Sequence, residues 1–226
     1  AGSDTITFRG TNFGFINPVT PAVVTATYQA AQSTVAYSVT SANCAVTPGA
    51  NVEITCTTVE GVGTGLLWTL TVNGESVSSP IATGYTPPVI TGVTSALPSA
   101  SGGGQAVVLT GTNLGNSAGD VLATYGRELG YVAADCRVAT PHTAIECDTV
   151  PGAGMQHEWQ IAVAGQTSPW SGTAHTTSYA RPTVTAITAP ALTTEGGEVV
   201  VVEGTNFGPG HVAVASAELN TFHRVT

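Results

Sequence analysis

A chain of 226 residues is long enough for two domains of ordinary size, and its 42% apolar content can fill their cores. Only 8% of the residues are charged, with five Lys+Arg against 14 Asp+Glu and a formal net charge of −9, too few cations to neutralise nucleic-acid phosphates or an anionic bilayer surface. No apolar run approaches the ~20 residues that span a membrane, and the surface must draw its polarity from Thr, Ser, Asn, Gln and Gly, as is common outside the cell.

In chain order, Thr5–Arg9 reads as an apolar strand that leads into Gly10-Thr11-Asn12-Phe13-Gly14. Additional residues around Gln29–Val39 then precede Cys44, as expected of a hairpin or loop insertion, where added length costs little entropy. Val52, Ile54 and Cys56 alternate with Glu53 and Thr55, and Trp68, Leu70 and Val72 alternate with Thr69, Thr71 and Asn73. Both runs are predicted as half-buried antiparallel strands, with the cysteines and tryptophans facing the core. Between them, Gly61-Val62-Gly63-Thr64-Gly65 lacks the Lys-Ser/Thr of a phosphate loop and leads into no helix, so turn chemistry accounts for it.

The order then starts again. Pro88-Val89-Ile90-Thr91 opens a strand, Gly102–Gly104 makes a turn, and Ala106–Thr110 leads into Gly111-Thr112-Asn113-Leu114-Gly115. Cys136, Cys147, Trp159, Val163 and Gly165 answer to Cys44, Cys56, Trp68, Val72 and Gly74 at a spacing of 91 or 92 residues, and Tyr179 answers to Tyr85. A third start follows at Pro182–Thr185, with Gly196-Gly197 and a strand Val199–Glu203 before Gly204-Thr205-Asn206-Phe207-Gly208. Shared landmarks in the same order define a repeat. The expected division is 1–86, a unit lacking its first strand; 87–181, a complete unit; and 182–226, the first half of a third. Ala1 in place of Met, with a strand almost at once, suggests a piece of something longer.

Short strands punctuated by 13 prolines and 27 glycines, without a sustained helical period, predict an all-β chain of small sandwiches. Each complete unit carries its own pair of cysteines, so Cys44–Cys56 and Cys136–Cys147 are the economical disulfides of the three possible pairings. They place the chain in an oxidising, extracellular compartment. Zinc is the rival reading; it needs four ligands, yet no His lies within a few residues of Cys44 or Cys56, and His142 near Cys136 stands alone.

The succession Pro-x-Ile/Val-Thr, Gly-Gly, apolar strand, Gly-Thr-Asn-Phe/Leu-Gly, Cys, Cys and Trp-x-Ile/Leu-x-Val resembles the IPT/TIG family of immunoglobulin-like domains. The resemblance implies tandem immunoglobulin-like β-sandwiches, roughly two and a half repeats here, and supplies no catalytic residues. The family occurs in extracellular receptors and surface proteins, beside some starch-acting catalytic domains, and in certain transcription factors; the cysteines, acidity and tandem order resemble the first setting. Low Lys content and the wording Thr58, Gly61-Val62-Gly63, Leu66, Trp68 are similar to surface proteins of protists or algae.

Other motifs have plain structural readings. Asn12, Asn113 and Asn206 sit beside turns, where Asn tolerates positive φ and satisfies nearby backbone groups. The five histidines form no His-Glu-x-x-His, Asp4, Asp120, Asp135 and Asp148 have no calcium-loop spacing, and there is no Gly-x-Ser-x-Gly elbow. An enzyme, a cofactor and a metal site are therefore not expected. No Asn-x-Ser/Thr sequon occurs, but Thr20, Thr47, Ser79, Thr86 and Ser168 precede proline and are candidate O-glycosylation sites. Trp170, in Ser-Pro-Trp-Ser-Gly without a counterpart in the first unit, is a candidate exposed contact. The expected partners are other copies of the chain or neighbouring repeats, with glycans attached or bound. The preferred function is a structural subunit of an extracellular fibre or surface coat; a receptor ectodomain for adhesion or signalling and an accessory module of a polysaccharide-acting enzyme are the alternatives.

Overall fold

A computed structural model describes residues 2–13, 22–31, 35–47, 52–96 and 98–210. These residues are all-β, with one 3-10 turn at Ala118–Asp120. The strands before residue 85 are β1 (Thr5–Arg9), β2 (Val24–Ala30), β3 (Tyr37–Val39), β4 (Cys44–Val46), β5 (Glu53–Thr57), β6 (Thr64–Val72) and β7 (Glu75–Gly84). They form two antiparallel sheets, β1-β5-β4 and β3-β2-β6-β7. Alternate side chains meet between the sheets: Val24, Ala26 and Tyr28 of β2, Ile54 and Cys56 of β5, and Leu66, Trp68 and Leu70 of β6 are all buried. This period-2 burial is what the sequence pattern predicts for half-buried strands. Val52 departs from it. It lies in the turn before β5 and is 45% exposed, because the pleat that alternates its neighbours begins only at Glu53.

The next strands are β8 (Val89–Ser95), β9 (Ala106–Thr112), β10 (Val121–Tyr125), β11 (Tyr131–Val132), β12 (Ala134–Thr140), β13 (Ala144–Asp148), β14 (His157–Val163), β15 (Gln166–Thr167) and β16 (Thr176–Thr177). The sheets are β12-β13-β9-β8 and β11-β10-β14-β15, with β16 also on β14. The strand order of the first sandwich recurs, with β9, β13 and β12 in the places of β1, β5 and β4. What differs is β8, which pairs with β9 and packs over β14 and β16. Among the described residues nothing pairs with the corresponding edge of β1. A separate core fills this sandwich, built on Val107, Leu109, Tyr125, Ile145, Trp159 and Ile161. Finally, β17 (Thr183–Thr188) and β18 (Val201–Thr205) form a hairpin whose apolar side chains lie open, Val184 at 52% and Ile187 at 66%. The strand expected at Val199–Glu203 is thus shifted two residues along the chain.

The insertion around Gln29–Val39 falls on the β2–β3 hairpin, paired from Ala26↔Val39 to Tyr28↔Tyr37. Its shorter counterpart joins β10 to β11. Cys44 bonds to Cys56 between β4 and β5, and Cys136 bonds to Cys147 between β12 and β13. In each pair one sulfur lies deep in the core and the other on the half-buried edge strand. With 11 residues of sequence separation, the second bridge should restrict the unfolded chain by roughly 3 kcal/mol. Replacing both Cys136 and Cys147 by Ala is expected to lower the stability of one unfolding transition in a urea titration by that free energy, moving its midpoint down, and to leave the other unchanged.

Candidate functional site

Each sandwich is closed at one end by tyrosines. Tyr28 stacks on Trp68 with ring centroids 3.9 Å apart, and Tyr125 stacks on Trp159 at 4.4 Å. The Trp68 indole N–H donates to Thr83 Oγ1 at 2.7 Å, and that of Trp159 donates to Thr177 Oγ1 at 3.0 Å. Tyr85 donates its hydroxyl proton to the Val59 carbonyl at 2.6 Å, and the Val59 N–H donates to Tyr28 at 3.2 Å. Tyr179 and Tyr125 repeat this on Val150, with the two hydroxyls 2.6 Å apart. Tyr37 grips Val62 through both backbone groups, as Tyr131 grips Ala153. The glycines of these turns make room for the rings: a Cβ on Gly61 would lie 2.6 Å from Tyr37 and one on Gly152 2.5 Å from Tyr179. The Gly-rich turn is thus a seat for tyrosines. Burial pushes the hydroxyls of Tyr28, Tyr85, Tyr125 and Tyr179 above the ordinary phenol range. Burial also holds His157, packed edge-on to three of the rings, below the usual imidazole value.

The Gly-Thr-Asn motif has a second task. A side chain at Gly111 would collide with the Val89 carbonyl oxygen, and one at Gly204 with that of Thr183. The glycine therefore admits the backbone of the first strand at close range. Two residues on, Asn113 Nδ2 donates to the Pro87 carbonyl at 3.2 Å, and Asn206 Nδ2 donates to that of Arg181 at 3.4 Å. Both asparagines hold positive φ, 58° and 60°. The motif is a clasp for the strand that opens each unit. Asn12 has the same backbone conformation, φ 64°, but its sandwich has no such strand among the described residues.

The two sandwiches meet at a polar joint. Gly63 N–H donates to Gln166 Oε1 at 3.2 Å while Gln166 Nε2 donates to the Tyr85 carbonyl at 2.8 Å. Gly63 and Tyr85 are themselves joined, Tyr85 N–H to Gly63 carbonyl, so the glutamine amide extends a backbone pair across the joint. Beside it, Glu60 accepts from Asn116 Nδ2 at 2.8 Å and lies 2.9 Å from His142 Nε2. His142, then Asn116, hold the Glu60 carboxyl below the usual carboxylate range. Val62 reaches across to pack against the core of the second sandwich.

The candidate modification sites fare unequally. Thr86 is exposed, Thr47 and Ser79 are half-buried, and Thr20 lies outside the described residues. Ser168 must be withdrawn as an O-glycosylation site. It is 3% exposed, its Oγ accepts from the Ile161 N–H at 3.0 Å and donates to the Pro169 carbonyl at 2.7 Å, so the hydroxyl serves as an edge partner for β14. Trp170 is half-buried rather than fully presented. The Arg127 guanidinium, held 2.7 Å from Glu158, covers its ring at 5.2 Å. Sequence reasoning treated Tyr85 and Tyr179 as landmarks and missed Tyr28 and Tyr125. The signal was present in the repeated Ala26-Thr27-Tyr28 and Ala123-Thr124-Tyr125.

Two packed antiparallel sheets joined as in Ig-like sandwiches define the class of the protein. Residues 88–179 match the model of the IPT/TIG domain family, a family of non-enzymatic immunoglobulin-like modules. No curated protein matches the chain.

The tyrosine clusters give two predictions. Tyr179→Phe leaves Tyr125 and the Val150 carbonyl short of a buried partner and is expected to cost about 1–3 kcal/mol in a denaturant titration. A phenol whose folded pKa is raised contributes stability that is complete below its unfolded value of ~10 and is lost as pH climbs towards the folded one. Absorbance of tyrosinate should therefore lag behind that of free tyrosine above pH ~10 and then rise together with loss of near-ultraviolet circular dichroism.

Proposed function

We propose that the chain is part of an extracellular, non-enzymatic array of immunoglobulin-like units, serving a structural or adhesive role as a fibre or coat subunit. In this reading 1–86, 87–181 and 182–226 are successive units of one repeat. The two disulfides and the IPT/TIG domain fit an extracellular or secreted protein. The observation that carries the mechanical role is the Gln166 amide, which bonds a donor and an acceptor of the preceding sandwich at once. Only four residues, Tyr85-Thr86-Pro87-Pro88, join β7 to β8, and the two prolines remove backbone freedom there. Neighbouring units are then held at a fixed angle, and load passes along the chain through paired backbone groups and a bidentate amide. The partners in this reading are further copies or further repeats, with glycans on exposed positions such as Thr86.

Small-angle scattering tests the joint. The parent chain is expected to give one sharp, elongated distance distribution, and Gln166→Ala a broader one with both sandwiches still folded. Superimposable curves for the two would remove the semi-rigid reading. Negative-stain images with a repeat of one or two sandwich lengths would identify a fibre, whereas dispersed beaded chains would eliminate it.

A further inference from the structure

The two tyrosine clusters correspond ring for ring, Tyr28, Tyr37 and Tyr85 in the first sandwich with Tyr125, Tyr131 and Tyr179 in the second. The residue two places before the stacked tryptophan does not correspond. It is Leu66 before Trp68 but His157 before Trp159, and the two are 3% and 6% exposed. Between matching cages, the second sandwich thus places a titratable ring where the first has an aliphatic side chain.

The surroundings of His157 fix its proton. Nε2 lies 3.1 Å from the Ala153 carbonyl, which can only accept, so Nε2 carries the hydrogen and Nδ1 the lone pair. Nδ1 faces Gly126, where a Cβ would stand 3.1 Å away, and the Gly126 N–H already donates to the Glu158 carbonyl at 3.0 Å. Tyr125 of β10, Tyr131 of β11 and Tyr179 pack edge-on to the imidazole at 6.0, 5.5 and 5.7 Å between centroids. These phenols are the titratable groups that face it, and their hydroxyls are engaged elsewhere: Tyr125 and Tyr179 with each other and Val150, Tyr131 with both backbone groups of Ala153. Thr177 of β16, the cross-strand partner of His157, is neutral. Glu158 lies on the opposite face of β14, where Arg127 holds it at 2.7 Å. Among the described residues no carboxylate bonds to the imidazole. A proton added at Nδ1 therefore creates a buried cation whose new donor has no acceptor.

We propose that His157 is an acid-sensitive latch: protonation at Nδ1 opens the tyrosine cage and frees the Val150–Gly154 turn, so that the second sandwich loosens in mild acid while the first does not. Ala153 is the point of leverage, because Tyr131 and His157 both donate to its carbonyl. Its counterpart in the first sandwich is Val62, gripped by Tyr37, which with Gly63 belongs to the joint between sandwiches. The latch thus sits beneath the turn that corresponds to a joint surface, and it goes beyond the array reading without depending on it. Burial holds the ring below the ordinary imidazole value of ~6.5, so the unfolded chain takes up the proton first. Stability is complete above that value and falls as pH drops below it, by up to about 10-fold in the folding equilibrium per pH unit until the folded imidazole itself titrates. Attraction of an imidazolium to the tyrosine faces has the opposite sign, so the direction of the titration decides which effect wins.

Urea unfolding of the 226-residue chain at about pH 7.5 and about pH 5 tests the latch. The transition that the Cys136 and Cys147 replacements move is expected to fall at the lower pH. His157→Leu, which installs the residue of the first sandwich, should remove most of that difference and leave the other transition alone. In the parent chain, the nuclear magnetic resonance signal of His157 should titrate below pH ~6.5. Over the same range, amide-exchange protection at Ala153 should drop more than at Val62, whose N–H is held by an equivalent tyrosine. A His157 midpoint at or above the free imidazole value, an undiminished pH dependence in His157→Leu, or equal changes at the two amides would each overturn the latch. None of these readouts involves Gln166, so those results would leave the semi-rigid array standing.

Discussion

Tyr125 lies flat on Trp159 while its hydroxyl meets Tyr179 and the backbone of Val150, and this one cluster connects both sheets and the turn between β13 and β14. Tyr28, Trp68, Tyr85 and Val59 do the same in the first sandwich. A stacked aromatic pair alone would bury area without fixing an angle. The hydroxyls add direction, because a buried phenol must find a partner or lose several hydrogen-bond contacts to water. Gly61 and Gly152 follow from that demand, since any side chain there would occupy the space of a ring.

The joint draws on the same residues. Tyr85 is at once a member of the buried cluster and, through its carbonyl, the acceptor of the Gln166 amide. Val62, whose backbone is gripped by Tyr37, packs into the next core. The residues that tie one sandwich together are therefore the ones that present its end to the next. A polar joint of this kind needs no large apolar area to set an orientation, because a bidentate amide tolerates little rotation.

The Gly-Thr-Asn clasp ties a distant strand to its sheet in the same way. Gly111 and Gly204 make possible a backbone approach that no other residue allows, and Asn113 and Asn206 complete it from a left-handed conformation suited to Asn. Where a strand fills the clasp, Ile90 disappears into the core; where one does not, an apolar groove remains. Ser168 shows the complementary economy of polar groups. Its hydroxyl satisfies the Ile161 N–H at an edge of β14, and a group so engaged and so buried is closed to modification.

Much of this was legible along the chain. Alternation at Trp68–Val72 and Trp159–Val163, recurrence of Gly-Thr-Asn, and one pair of cysteines per unit determine strands, repeat order and sandwich class, because pleat, turn and cross-strand pairing depend on neighbours in sequence or on a fixed spacing. Val52 marks the limit even there, since alternation counts only inside a strand whose end the sequence does not specify. What only tertiary structure decided involves residues far apart: Gln166 against Gly63 and Tyr85, His142 and Asn116 against Glu60, Arg127 over Trp170, and Asn113 against Pro87. Each is a short-range polar or aromatic contact between segments brought together by the packing of two sheets or two sandwiches. No local propensity encodes which distant group will stand in contact, so the fold could be read from the sequence and its joints could not.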